Sequence, residues 1–188
     1  NLATPSFSIE NFILILSLVI TIGSQIFISV KYKSTKRIKT LKGYTGRDVA
    51  RKILDKNGLS HVKVVETGGE LTDHYDPTSK VVRLSTEIYN GSSIASASVA
   101  AHECGHAIQD KDNYLFLRIR SSLVPITNFA TNAGYFIIMF GFIFSMMKLV
   151  VIGIILDVII LLFQVITLPV EFNASHRALI QLKENKNK

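Results

Sequence analysis

Three long stretches with at most one charge divide the chain. Phe12 to Val30 carries no charged residue over nineteen positions, which as a helix covers about 28 Å, the thickness of a bilayer's hydrocarbon core. Ser121 to Met147 runs twenty-seven residues without a charge, and Leu149 to Val170 continues for twenty-two with Asp157 alone charged. A single helix from 128 to 170 would be about 64 Å long, twice the bilayer. A turn is therefore expected near Ser145-Met146-Met147-Lys148, although it contains neither Gly nor Pro. This pattern predicts transmembrane helices at 12–30, 123–147 and 149–170.

The region 31–122 alternates on shorter periods and reads as a water-soluble domain. Thr45-Gly46-Arg47-Asp48 has the form of a capping box with Asp in place of Glu, and Val49, Ile53 and Leu54 then mark one helical face up to Asn57-Gly58. The stretches His61–Glu66 and Lys80–Ser85 approximate strand alternation, with Gly68-Gly69 through Asp76-Pro77 as their connection. A sheet of two strands or slightly more is expected. After the Asn90-Gly91 turn, Ser92 or Ser93 can cap a helix of small residues that runs through Ala101 towards Asp110-Lys111-Asp112-Asn113. The expected fold class is an integral membrane α-helical protein with three transmembrane helices and a small α+β domain.

Composition agrees. A chain that is 48% hydrophobic, with mean hydropathy +0.33, is too apolar for an ordinary soluble protein of this length. The net charge of +7 would suit nucleic acid, but six of the 21 basic residues crowd into Lys31 to Lys42, directly after the first apolar run. That placement signals membrane orientation, and no nucleic-acid partner is expected. No Lys or Arg precedes Phe12, so the run reads as an anchor with residues 1–11 outside, and not as a signal peptide. Arg177, Lys183, Lys186 and Lys188 follow the third run, which puts 31–122 and 171–188 together on the cytoplasmic face. One cysteine excludes an intrachain disulfide and any Cys-rich zinc finger.

The chemistry centres on His102-Glu103-Cys104-Gly105-His106. On a helix, residues four apart share a face, so His102 and His106 can reach one tetrahedral zinc ion while Glu103 flanks it as a general base. The bland alternative is a helix whose two histidines are simply hydrogen-bonded. Glu171, sixty-five positions beyond His106, is the first acidic residue after the third run on the same face, and is the expected third ligand. Asp110 is its rival, being four residues after His106, but its short side chain farther along the helix suits contact with a ligand better than ligation. His74, between Asp73 and Asp76, reads as a solvated loop histidine outside the ligand set. Cys104 points away from the metal face as a packed small residue. Asp157, near mid-bilayer, is expected to face protein and to hydrogen-bond to Gln25, Asn128 or Asn132. His176, Arg177 and Tyr114 are unranked candidates to stabilise a tetrahedral oxyanion.

Three stretches, His102-Glu103-Cys104-Gly105-His106-Ala107, Glu70 to Pro77 and Leu168 to Ser175, resemble the YugP family of membrane zinc metallopeptidases, a likeness covering nearly the whole chain. More distantly, they are similar to gluzincins of the HtpX type. The resemblance implies zinc held by His102, His106 and Glu171, with Glu103 as catalytic base, in a gluzincin-like metalloprotease domain. It also implies a peptide or protein substrate, membrane-associated or not, and a multi-pass protein of the bacterial plasma membrane. The chain departs from the pattern at Asn173, where the YugP-like sequence has Asp, and at Ser175, where HtpX-type proteases have Asp. These two, with His176 and Arg177, are the residues expected to support a ligand or the oxyanion. Substrate is expected to add as a strand at an exposed edge near 80–85. The runner-up is a non-hydrolytic, metal-stabilised membrane scaffold or adaptor; an open fourth coordination position would favour the enzyme.

Overall fold

Ser8 opens the first helix by accepting the Asn11 N–H, and α1 then runs Ile9–Lys36. The computed structural model describes residues 8–186, so most of the expected external N-terminus lies outside the described residues. None of the most apolar window of α1 is buried, so that stretch stands clear of the other helices with apolar side chains on every face, as suits contact with lipid. The other two helices long and apolar enough to cross a bilayer are α5, Leu115–Ile143, and α6, Met147–Lys186. They form a hairpin. A Cβ on Gly141 would lie 2.7 Å from Val150 Cγ2, and one on Gly153 would lie 2.2 Å from Ile138 Cγ1, so these glycines let the two backbones approach. The hairpin turns over residues 144–146, where Ser145 adopts φ +53 without being glycine.

Between α1 and α5 lies a small sheet on a helical bed. The capping box is formed: the Thr45 hydroxyl accepts from Asp48 N–H at 3.2 Å, and Asp48 Oδ2 accepts from Thr45 N–H at 3.0 Å. It starts α2, Gly46–Lys56. Strands β1 (Lys63–Thr67), β2 (His74–Asp76) and β3 (Val81–Ser85) follow, then α3 (Thr86–Asn90) and α4 (Ile94–Lys111). The strand order is β1-β3-β2, with β1 parallel and β2 antiparallel to β3. Two expectations change here. Residues 74–76, assigned to a connection, form the third strand. The 80–85 strand is central and paired on both sides, so it offers no edge to a substrate; β1 and β2 are the outer strands.

The core gathers Ala50, Ile53 and Leu54 of α2, Val82 and Leu84 of β3, Ile88, and Ala100, Ala101 and Cys104 of α4. Cys104 is fully buried, with Sγ 3.6 Å from the Ala50 carbonyl oxygen, and so faces α2 and not the histidine face. Burial pushes its thiol up. Ala178 of α6 joins the same cluster, and the far end of α6 is tied to α2 by a Lys56–Glu184 ion pair and by Asn57 donating to Gln181 at 3.1 Å.

Helix α6 is 40 residues long, about 60 Å, and so outreaches a bilayer core by half its length. The helix continues through Pro169, and residues 171–186, with Glu171 among them, are its last turns. The tertiary contacts above hold those turns in line despite the missing proline N–H. Asp157 is exposed on α6, and bonds to none of Gln25, Asn128 and Asn132 among the described residues; Asn132 donates instead to the Asn128 carbonyl.

Candidate metal site

Helix α4 is built from small residues so that it can lie deep. Ser93 caps it, its hydroxyl accepting from Ser96 N–H at 3.0 Å, and Ala95, Ala97, Ala100 and Ala101 are buried. One face passes against the protruding half of α6. At the crossing, a Cβ on Gly105 would stand 2.5 Å from the Ala174 carbonyl oxygen, so glycine between the two histidines permits the helices to touch. One turn from that contact, Glu171 Oε2 lies 3.1 Å from His102 Nε2 and 3.5 Å from His106 Nε2. The imidazoles are nearly perpendicular, at 83°, with centroids 4.8 Å apart.

These three groups fit a metal ion. The candidate ligand atoms all lie within 4.8 Å of one another, and ligands at about 2.0–2.2 Å around tetrahedral zinc are about 3.3 Å apart. Each histidine also has its other ring nitrogen engaged, which fixes the ring and leaves Nε2 to face the centre. His106 Nδ1 is 3.0 Å from Gln109 Oε1, and His102 Nδ1 is 3.2 Å from Ser175 Oγ. Gln109, fully buried, then donates to the Val170 carbonyl at 2.8 Å and to Asn173 Oδ1 at 3.0 Å. Asn173 Oδ1 accepts again from Arg177 Nε at 2.8 Å, and Arg177 pairs with Asp112. A continuous polar chain thus runs from His106 across to α6.

Glu103 is 8% exposed beside this cluster. Burial pushes its carboxyl up, an effect opposed by the two histidines and reinforced by Asp73 and Glu171. It sits where two cavities meet, the pair sharing Asp73, His102 and Glu103. The first, about 530 Å³, has Val99, Ala178, Leu179 and Leu182 as its apolar wall and reaches Tyr32 of α1. The second, about 470 Å³, is more polar, with His74, Thr78, Arg120, Ser121 and Glu171.

Other residues fall away from the centre. Asp110 accepts from Tyr75 at 2.6 Å and pairs with Lys80, so it braces the sheet and touches neither histidine. His74 lies on β2 with Nδ1 2.7 Å from the Thr72 carbonyl and lines the second cavity, outside the ligand cluster. Tyr114 and His176 line neither cavity, and Arg177 is engaged with Asn173 and Asp112. Gln109 was missed, although its place one turn after His106 is the signal that finds it. Arg120 was missed because a cation just before an apolar run reads as a membrane flank.

The model of a family described as "Putative neutral zinc metallopeptidase" matches residues 11–187. A Bacillus subtilis (strain 168) protein named "Putative membrane protease YugP" is 42% identical over 167 residues, 89% of this chain and 74% of that protein. No solved structure matches.

Proposed function

The chain belongs to the neutral zinc metallopeptidase family just described, and from that premise we propose that it is a membrane-embedded zinc peptidase that cuts proteins or peptides at the cytoplasmic face. The observation that carries this is the convergence of His102, His106 and Glu171 from two helices, with buried Glu103 beside them at the junction of two cavities. His102 Nε2, His106 Nε2 and a Glu171 oxygen would hold zinc, which when bound polarises a carbonyl and makes a water acidic. Glu103 takes the proton from the attacking water and delivers it to the leaving amine nitrogen; its raised affinity for a proton suits both halves of that task. Ser175 and Gln109 hold the two imidazoles in orientation.

Two supports concern access and side. The basic cluster Lys31 to Lys42 and the basic residues after Val170 favour a cytoplasmic site. Strand β2, one of the two edge strands, contributes His74 and Tyr75 to the second cavity, so an extended peptide has a main-chain edge beside the centre. A scaffold would close its metal with a fourth ligand, whereas the cluster comprises three such residues among those described.

The test is metal analysis of detergent-purified protein alongside a peptide-library digest by wild type and Glu103→Gln. Zinc in both and cleavage by wild type alone is the expected result. Cleavage by Glu103→Gln at the wild-type rate, or none by zinc-loaded wild type, rejects the reading.

A further inference from the structure

Arg120, in the second turn of α5, points its guanidinium into the wall of the second cavity. Its Nε is buried and has no hydrogen-bond partner among the described residues. Its Nη2 is 4.0 Å from Glu171 Oε1, too far for a hydrogen bond. Glu171 turns its other oxygen, Oε2, to the histidines. The cation therefore forms a loose ion pair on the outer side of the ligand carboxylate without hydrogen-bonding to it, unlike a brace, which would hold such a partner in the two-pronged geometry that guanidinium and carboxylate favour.

Several other donors near the centre are committed, and the Thr78 and Ser121 hydroxyls, which also line the second cavity, carry no charge. The Tyr75 hydroxyl donates to Asp110, Ser175 is with His102, and His74 Nδ1 is with the Thr72 carbonyl. An arginine beside the centre with donors to spare marks the place where negative charge arrives from outside the chain. Its distance from Glu171 puts that place at the edge of the metal centre, where the scissile carbonyl must lie.

We propose that Arg120 is the second electrophile of the reaction, donating N–H to the carbonyl oxygen of the scissile peptide bond as that oxygen becomes negative. The proposal rests on the peptidase reading. Water oxygen bonds to the carbonyl carbon while Glu103 accepts the water proton, and the C=O π pair moves onto oxygen, where Arg120 meets it. The pair then returns as the C–N bond breaks, and the nitrogen leaves with the proton from Glu103.

The experiment uses full-length protein in detergent, loaded with zinc, and a phosphinic pseudopeptide built on the sequence best cleaved in a library digest. The tetrahedral phosphinate carries its charge where the oxyanion would be. Arg120→Ala is expected to keep one zinc per chain, lose about 10²–10³ in kcat with KM moved less than about threefold, and bind the phosphinate more weakly by a similar factor. Arg120→Lys, which keeps the charge and loses the fork, should fall between the two in both readouts. Loss of zinc from Arg120→Lys would make the residue a prop for Glu171 and overturn the proposal. Unchanged phosphinate affinity in Arg120→Ala overturns it while the peptidase reading stands. So does a defect confined to KM and abolished by amidating the substrate's C-terminus, which would assign Arg120 to a terminal carboxylate. Absence of any zinc-dependent cleavage by wild type instead removes the peptidase reading itself, and the proposal with it.

Discussion

Gly105 and Ala174 meet so closely that a Cβ on the glycine would stand 2.5 Å from the alanine's carbonyl oxygen. The contact sits between the two histidines on one helix and three residues past Glu171 on the other. Helix approach and assembly of the ligand set are thus one event.

Gly105→Ala tests that coupling. The added methyl group meets backbone, which cannot rotate away, so α4 and α6 must part by tenths of an ångström at a cost of about 1–3 kcal/mol. Binding constellations tolerate only about 0.5 Å of misplacement. Zinc affinity, measured by competition with a chelator, should fall at least about tenfold while far-ultraviolet circular dichroism keeps the helical signal.

Glu171→Ala and Asp110→Ala should behave oppositely. Glu171 shares one oxygen between both histidines, and its loss should release the metal and abolish hydrolysis. Asp110 holds Tyr75 and Lys80, so its loss should lower the thermal midpoint by a few degrees and leave one zinc per chain. Retention of zinc with undiminished affinity in Glu171→Ala would reject the ligand assignment.

Gln109→Ala removes three contacts at once: the one to His106 Nδ1, and those to the Val170 carbonyl and Asn173. Freeing a ligand histidine from its outer partner typically weakens metal binding 10- to 100-fold. Stability should drop by about 1–3 kcal/mol for the buried groups left unpaired. Equilibrium dialysis with zinc and a melting curve of the metal-free protein separate the two effects.

A pH effect belongs to the α2 cap. The Thr45 hydroxyl, then the Thr45 backbone N–H, donate to Asp48 and hold its carboxyl below the usual aspartate range. A group with a depressed folded value stabilises above its unfolded value, and its contribution fades as pH falls through the folded one. Thr45→Ala should therefore cost about 0.5–2 kcal/mol at pH 7. The gap from wild type should shrink as the pH falls below about 4, as read from thermal unfolding of the two proteins side by side.

What was legible in the sequence is what is local. The four-residue spacing of His102 and His106, the charge-free runs and the cap at Thr45 each depend on neighbours a turn away, and a one-dimensional pattern carries them. Strand β2 was not legible because three residues carry no periodicity, and its pairing to Arg83, Val82 and Val81 lies outside its own segment. The continuation of α6 beyond Pro169 was not legible for a similar reason. Proline's local preference is to end a helix, and here it is overruled by Gln109, Ala174 and Ala178, which pack that stretch onto α4 and the core.

The length of α6 has one more consequence. The same rigid rod that is apolar up to Val170 carries Glu171 as its next residue, so on the proposed topology the reactive centre hangs at the level of the lipid headgroups. Altitude then becomes the first filter on what is cut: a bond must dip to the membrane surface before the shape of either cavity can matter. A globular protein drifting in the bulk carries its cleavable loops too high, whereas a tail or loop emerging from the bilayer is delivered at the working height by its own anchor.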